Sequence, residues 1–428
     1  MSNYIKENFD LQEISSYILN DFVSEKRHPI TTCQKFFNAP GDPNSKSPVT
    51  VKQNKSGNPY YSGLQTCGSV WVCPVCAKKI TEVRRQEIEK AIENHSGSIL
   101  MVTFTIPHNK KDSLLDSYNL LMRARREMKK QSSVKRRNKR PLIYTFSEIA
   151  ESFDFLGDIA SVEITYSDNN GFHPHCHSLF LFNQTLNQAQ IIKIEYYLRY
   201  AYLDSLIKKC KLDYTDQESL FNRALKVDQI KNLKEYITKA STQDKSEGEI
   251  NKIAECYQNR WKYSEELTKQ HIKKGKSESL TPFDFLRVLN KVKDAKIYKK
   301  YASLFVEYYK ATFGRRQIFW GKAFNKDMGL KEYFKINHVS DEEIADGDYE
   351  KEDERLGYVE NDEFKFLREN KLRGDFLQWI KNTNFTEAKE YLKGVMYEKE
   401  QQKQKKRFEK IDSEVKPRRT ENYIQCPC

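Results

Sequence analysis

Residues 158–182 read DIASVEITYSDNNGFHPHCHSLFLF. Two β-rich runs flank Asp168-Asn169-Asn170-Gly171, and Asn-Gly between such runs marks a hairpin, although this loop exceeds the two-residue type. Side chains alternate along a strand. Val162, Ile164 and Tyr166 therefore share one side of the first run, and Glu163 and Thr165 the other. On the returning run His173, His175 and His177 share a side, opposite Cys176, Ser178 and Phe180. If the register aligns them, one carboxylate and two imidazoles converge. Two histidines and a carboxylate with open positions suit a divalent ion used for chemistry. A hard ion such as Mg²⁺ or Mn²⁺ keeps waters and accepts a phosphate oxygen. A structural zinc or packed histidines are the competing outcomes. Three alternating histidines in a chain with eight weigh toward a metal or phosphate site.

Upstream, SILMVTFTIPH (98–108) reads as a buried strand ended by Pro107. Residues 112–131 read as a helix running into a basic stretch; from Arg123 to Arg140 there are ten Lys/Arg and one acid, Glu127. Further helices are expected at 1–27, 77–95, 187–210 and 228–243. Beyond about 245 the composition shifts to Lys, Glu and Tyr, with helices expected at 246–275, 282–314 and 363–402 and an acidic patch at 341–354.

Residues 28–76 are dense in Pro, Gly, Asn and Ser and predict loops and short strands. They carry CGSVWVCPVC, with Cys67, Cys73 and Cys76, the last two a C-x-x-C pair that commonly forms half of a zinc site. Cys33 is the leading fourth ligand and His28 the second; buried reduced thiols are the alternative. A closed four-thiolate Zn²⁺ would order a segment with too many turns to build its own core.

The chain has 428 residues, nine cysteines and a formal net charge of +13. The length predicts two or three domains, and the charge favours a polyanionic partner. The opening residues carry acids and no long apolar run, so no signal peptide is expected. No stretch approaches a membrane span, which requires roughly 18 apolar residues. A cytoplasmic protein with reduced thiols or a metal site is expected, with no membrane partner. In DQIKNLKEYITKAS (228–241), Tyr236 and Lys239 are neighbours on the expected helix. By itself that pair carries little, because the chain has 25 tyrosines.

In order along the chain, MVTFTIPH, VEITYSDNNGF, HPHCHSLFLF and EYITK resemble the motifs of HUH endonucleases, specifically the rolling-circle plasmid replication initiators (Rep proteins). TCGSVWVCPVCAKKITEVRRQEI is similar to a cysteine segment preceding those motifs in one branch of that family. LTPFDFL (280–286) and RRQIFWGKAF are similar to its downstream segments. The resemblance runs from about 28 to 345. It implies an α+β fold: an antiparallel sheet with flanking helices as the HUH nuclease domain, an N-terminal Cys-rich zinc-binding segment and a mainly helical C-terminal region. The expected boundaries are 1–95, 96–245 and 246–428.

The resemblance further implies His175 and His177 as ligands of Mg²⁺ or Mn²⁺, Glu163 as the third, and His173 as the competing choice. It implies Tyr236 as nucleophile, Lys239 as the cation that steadies phosphate, and Cys33, Cys67, Cys73 and Cys76 on Zn²⁺. Some relatives carry a Glu one turn before the tyrosine; here Asn232 stands there, Glu235 lies on another helix face and Asp228 is two turns back. The implied activity is nicking and rejoining one strand at a plasmid origin through a 5′-phosphotyrosine. Single-stranded origin DNA, a host helicase and a polymerase are the implied partners, with the 123–140 stretch tracking the DNA backbone. An HUH-type single-strand transposase shares this chemistry. A histidine-triad nucleotide hydrolase and a non-catalytic zinc-dependent DNA-binding protein are the rivals from other classes.

Overall fold

A computed structural model describes residues 4–23, 28–37, 48–54, 57–131, 145–230, 264, 267–268, 279–347 and 353–415. The chain divides into two units. One combines residues 1–9, 34–64 and 350–428; the other combines 10–33 and 65–349. The strands, in chain order, are β1 (Val49–Gln53), β2 (Pro59–Ser62), β3 (Ile99–Phe104), β4 (Phe155–Ser167), β5 (Gly171–Phe182), β6 (Leu225–Ile230), β7 (Ile318–Trp320) and β8 (Glu354–Val359). Helices and antiparallel sheets together make an α+β architecture. No helix among the described residues is long and apolar enough to cross a membrane.

The larger unit is built on a five-stranded sheet in the order β6-β3-β5-β4-β7, every neighbouring pair antiparallel. β4 and β5 form the expected hairpin. The turn closes at Gly171, whose φ of +78° suits a residue without Cβ, and an added Cβ would sit 2.9 Å from Lys110 Cα.

The two sheet faces differ. Leu100, Val102 and Phe104 of β3, Ala160, Val162 and Ile164 of β4, and Phe180 and Phe182 of β5 belong to the main core. Helices Leu114–Lys129, Phe146–Ser152, Gln188–Asp204, Pro282–Leu289 and Ala295–Thr312 contribute to that core, as do Ile18 and Leu19 of Tyr4–Val23 and Ala77, Ile80 and Val83 of Pro74–Asn94. The opposite face carries a smaller core. Ile99, Met101, Ile159, Leu179 and Leu181 meet Ile88, Ala91 and Ile92 of helix Pro74–Asn94, with Leu330 and Phe334. Toward the hairpin end this face turns polar, at Thr103, Ser161, Glu163, His175 and His177.

Local capping explains where helices depart from the sequence expectation. The run 282–314 divides into Pro282–Leu289 and Ala295–Thr312 because Asp294 caps a new start, its carboxylate accepting from Lys296 N at 2.8 Å and Ile297 N at 3.0 Å. The run 363–402 becomes three helices, Asn361–Glu369, Arg373–Asn382 and Phe385–Val415. Lys371 adopts φ +58° between the first two, and Asn384 Oδ1 accepts from Glu387 N at 2.9 Å to open the third. The helix expected at 228–243 is corrected at its start. Residues 225–230 form β6, which pairs with all six residues of β3. Backbone pairing with a central strand outweighs the helical spacing there. Residues 231–243 lie outside the described residues, as does most of 246–275.

The smaller unit has a three-stranded sheet in the order β2-β1-β8, joining strands from the two ends of the chain. Its core is anchored by Arg373, only 1% exposed, which donates from Nη1 to Gln34 O at 2.6 Å. Tyr61 Oη donates to Arg373 O at 2.9 Å.

Candidate metal centres

The β4–β5 register pairs Glu163 with His175. One oxygen of the carboxylate, Oε2, lies 3.1 Å from His175 Nε2 and 3.2 Å from His177 Nε2. Glu163 and His177 are buried, at 7% and 8% exposure, and His175 is half-buried. Each ring has a second anchor. His175 Nδ1 is 3.4 Å from the His173 carbonyl, which can only accept, so that proton sits on Nδ1. His177 Nδ1 is 3.1 Å from Thr103 Oγ1, the residue opposite it on β3. The Nε2 atoms thus face one carboxylate oxygen at hydrogen-bond distance, a spacing that either a shared proton or a metal ion satisfies. Two ligands about 2.1 Å from an octahedral ion, at right angles, stand about 3.0 Å apart. The observed spacings fit that requirement. Glu163, His175 and His177 form a group able to hold a metal ion.

His173 stands apart from this group. Its ring stacks on His108, with centroids 4.5 Å apart and planes at 14°. Burial, reinforced by His175 and His108, pushes its pKa down to about 3, so the ring is neutral.

The four cysteines also come together. Cys33 follows the short helix Pro29–Thr31, Cys73 is the N-cap of Pro74–Asn94, and Cys76 lies in that helix's first turn. Sγ of Cys33 is 3.8 Å from that of Cys73 and 3.5 Å from that of Cys76, and Cys67 Sγ is 3.7 Å from Cys76 Sγ. None of the four is in a disulfide. Sulfurs bound at about 2.3 Å to a tetrahedral ion stand about 3.8 Å apart, so the cluster has the dimensions of a closed Cys₄ site. Gln12 Nε2 donates to Cys73 Sγ at 3.4 Å, a contact of the kind that steadies a thiolate ligand. His28, the second choice as ligand, is elsewhere. Its Nδ1 accepts from Ile30 N at 3.1 Å and its ring lies edge-on to Tyr309.

The tyrosine reading falls outside the described residues, which exclude Tyr236 and Lys239 as well as Asn232 and Glu235. Asp228, expected on the same helix, is on β6, where Lys226 Nζ reaches its carboxylate at 2.9 Å. Residues 132–140 of the basic stretch are also outside. Before them, Arg125 and Lys129 turn inward. Both pair with Asp158, 2% exposed on the face of β4 opposite Glu163. Arg125 Nε also donates to Ser178 Oγ at 3.3 Å. Burial pushes the Asp158 carboxyl up, but Lys129 and Arg125 overcome it and hold the carboxyl below its ordinary range. These cations are committed to the core, whereas Arg126 and Lys130 are exposed.

Sequence reasoning missed Thr103 and the Asp158 trio. The signal for Thr103 was present: it is the polar residue in the apolar run 99–104. Asp158 carried no comparable signal, because its partners come from a helix about thirty residues upstream.

Comparisons with known proteins bear on this chain. It is 30% identical over 155 residues to a protein named Protein rep from Streptomyces lividans, an alignment covering 32% of this chain and 33% of that one. It is 27% identical over 153 residues to a Neomycin resistance protein from Streptomyces cyanogenus, covering 31% and 34% respectively. The chain spans about a third of the length of the curated relatives it matches. No family model matches it, and no solved structure does. The likeness to a Rep-named protein agrees with the resemblance read from the motifs.

Proposed function

We propose that this protein nicks and rejoins one DNA strand at a plasmid origin and so starts rolling-circle replication. The observation that carries the reading is the convergence of the Glu163 carboxylate with the Nε2 atoms of His175 and His177. The likeness to a protein named Protein rep supports the replication context. Mg²⁺ or Mn²⁺ held by these three residues would withdraw charge from the non-bridging oxygens of the scissile phosphate. Thr103 and the His173 carbonyl orient the two rings so that both Nε2 atoms point to one place.

Tyr236 is the proposed nucleophile, on the motif EYITK. Its phenolic oxygen bonds to phosphorus while the bond to the 3′ oxygen breaks. The phenol's proton is lost, and the departing oxygen is protonated to a 3′-OH that a polymerase can extend. Lys239 steadies the phosphate. The 5′-phosphotyrosyl ester conserves the energy of the broken bond, so rejoining requires no ATP. The Cys₄ cluster is proposed to hold a structural Zn²⁺ that pins the Cys33 loop to helix Pro74–Asn94. A host helicase and polymerase are the proposed partners.

The test uses labelled single-stranded origin DNA with Mg²⁺ or Mn²⁺. The expected result is a covalent protein–DNA adduct that is abolished by EDTA and absent in Tyr236→Phe. An adduct that survives in Tyr236→Phe assigns the chemistry to another nucleophile. Nucleotide hydrolysis that persists in EDTA, without adduct, would instead identify histidine-triad chemistry.

A further inference from the structure

The histidine face of the main sheet continues into a cleft that the proposed chemistry does not use. Its volume is about 810 Å³, and its walls include the turn 67–72, β7 and the residues around Ser340. That volume lies within the range of small-ligand sites, about 300–1,000 Å³. The strand register fixes its position. Ser161 of β4 pairs with His177 on one side and with Ile318 of β7 on the other. Directly paired residues share a face, so Ile318 stands on the face of His177, two strand spacings or about 10 Å away. Trp320, paired with Ile159, follows on the same face, and both residues line the cleft.

Most charges along the walls are already matched. Arg84 pairs with Glu87 at 2.9 Å and Asp341 at 2.6 Å, and Lys331 pairs with Glu87 at 2.9 Å. Glu343 accepts from Ser340 N at 2.7 Å to cap its helix. Glu342 packs against Gly68, where an added Cβ would be 2.9 Å from Glu342 Cγ; that close approach, at φ +59°, fits the turn bearing Cys67 against this wall.

A different chemistry remains on the lining. Phe313 is 68% exposed, and its ring continues a ladder through Tyr309 at 5.4 Å and from there to His28 at 5.1 Å. Arg315 lies over the Tyr118 ring at 4.5 Å, and the neighbouring Arg316 is exposed. An exposed ring beside guanidinium groups suits single-stranded nucleic acid, the ring taking a base face and the cations taking phosphates.

We infer that this cleft receives unstacked bases of the DNA strand flanking the phosphate held at Glu163, His175 and His177. Phe313 is the stacking face and Arg316 a backbone contact. The inference rests on the strand-nicking reading for its placement of the scissile phosphate, but its ligand, single-stranded DNA, can be tested separately.

The experiment measures binding of fluorescein-labelled oligo(dT) to the full chain by anisotropy across a NaCl series, alongside the adduct assay with Mn²⁺. Phe313→Ala is expected to weaken binding about tenfold, within the cost of losing one base–aromatic stack. Arg316→Ala is expected to reduce the slope of log K against log salt by about 0.7, the loss of one phosphate contact to a single strand. Both side chains are exposed, and unchanged thermal melting and zinc content serve as the folding control. Wild-type affinity and slope in both variants would overturn the cleft even if wild type forms the adduct. So would failure of the wild type to bind the oligonucleotide. A wild type that forms no adduct, yet loses affinity in Phe313→Ala, removes the nicking reading and leaves the cleft as a single-strand site.

Discussion

Thr103 Oγ1 lies 3.1 Å from His177 Nδ1, so a hydroxyl on β3 sets the orientation of an imidazole on the neighbouring strand, β5. Removing it leaves the ring free to turn or to change tautomer. Outer partners of this kind typically contribute about 10–100-fold to metal affinity or activity. Thr103→Val, close in shape, is expected to weaken Mn²⁺ binding within that range, and Thr103→Ser to restore most of it. Calorimetric titration of the ion into each variant checks both. Equal affinity in Thr103→Val would mean that packing alone orients His177.

Glu163 supplies the negative charge of the group, and both Nε2 atoms lie about one hydrogen-bond length from its Oε2. Glu163→Gln keeps the size but removes that charge. The expected outcome is loss of most divalent-ion binding and of adduct formation, with thermal stability little changed. Adduct formation at the wild-type rate in Glu163→Gln would move the third ligand elsewhere. His173, half-buried and stacked on His108, would be the next to substitute.

The Cys₄ cluster makes a separate prediction. Its four sulfurs join the Cys33 loop, the turn at Cys67 and the start of helix Pro74–Asn94. A structural ion there contributes directly to folding. The purified protein is expected to contain one zinc per chain, and Cys33→Ser to lose it and melt at a lower temperature. A strong chelator should lower the wild-type midpoint in the same way. Full metal content in Cys33→Ser would exclude that cysteine as a ligand.

How much of this was legible in the sequence follows from the range of each interaction. The hairpin and its histidine face could be read because strand alternation is local and the connecting turn is short. Glu163 could be paired with His175 for the same reason. The C-x-x-C knuckle was local too, and Cys33 could be added because it stood in the adjoining loop-rich segment. β6 was misread: DQIKNLKEYITK has helical spacing, and only pairing with β3, more than a hundred residues upstream, makes its first residues a strand. The partnership of β1 with β8 spans about three hundred residues and has no local signature. Within the basic stretch, charge counting cannot tell Arg126, which meets solvent, from Arg125, which meets a buried carboxylate.

That buried carboxylate gives the last prediction. Asp158 lies beneath the metal-site face, held between Arg125 and Lys129 with its charge fully used. Asp158→Asn would leave the buried Arg125 and the half-buried Lys129 without that counter-charge, and breaking a buried pair such as Arg125–Asp158 costs about 3–5 kcal/mol. The variant is expected to show a urea midpoint well below wild type at pH 7. The pH dependence has a definite sign. The folded-state pKa of Asp158 is depressed relative to an ordinary carboxyl, so its contribution is fully present above the unfolded value of about 3.9. It is lost as pH falls through the lower folded value. The stability gap between wild type and Asp158→Asn should therefore be constant from pH 7 to about pH 5 and narrow only in stronger acid. Urea unfolding of both proteins at each pH measures that gap, and a gap that closes already between pH 7 and pH 5 would place the responsible group elsewhere.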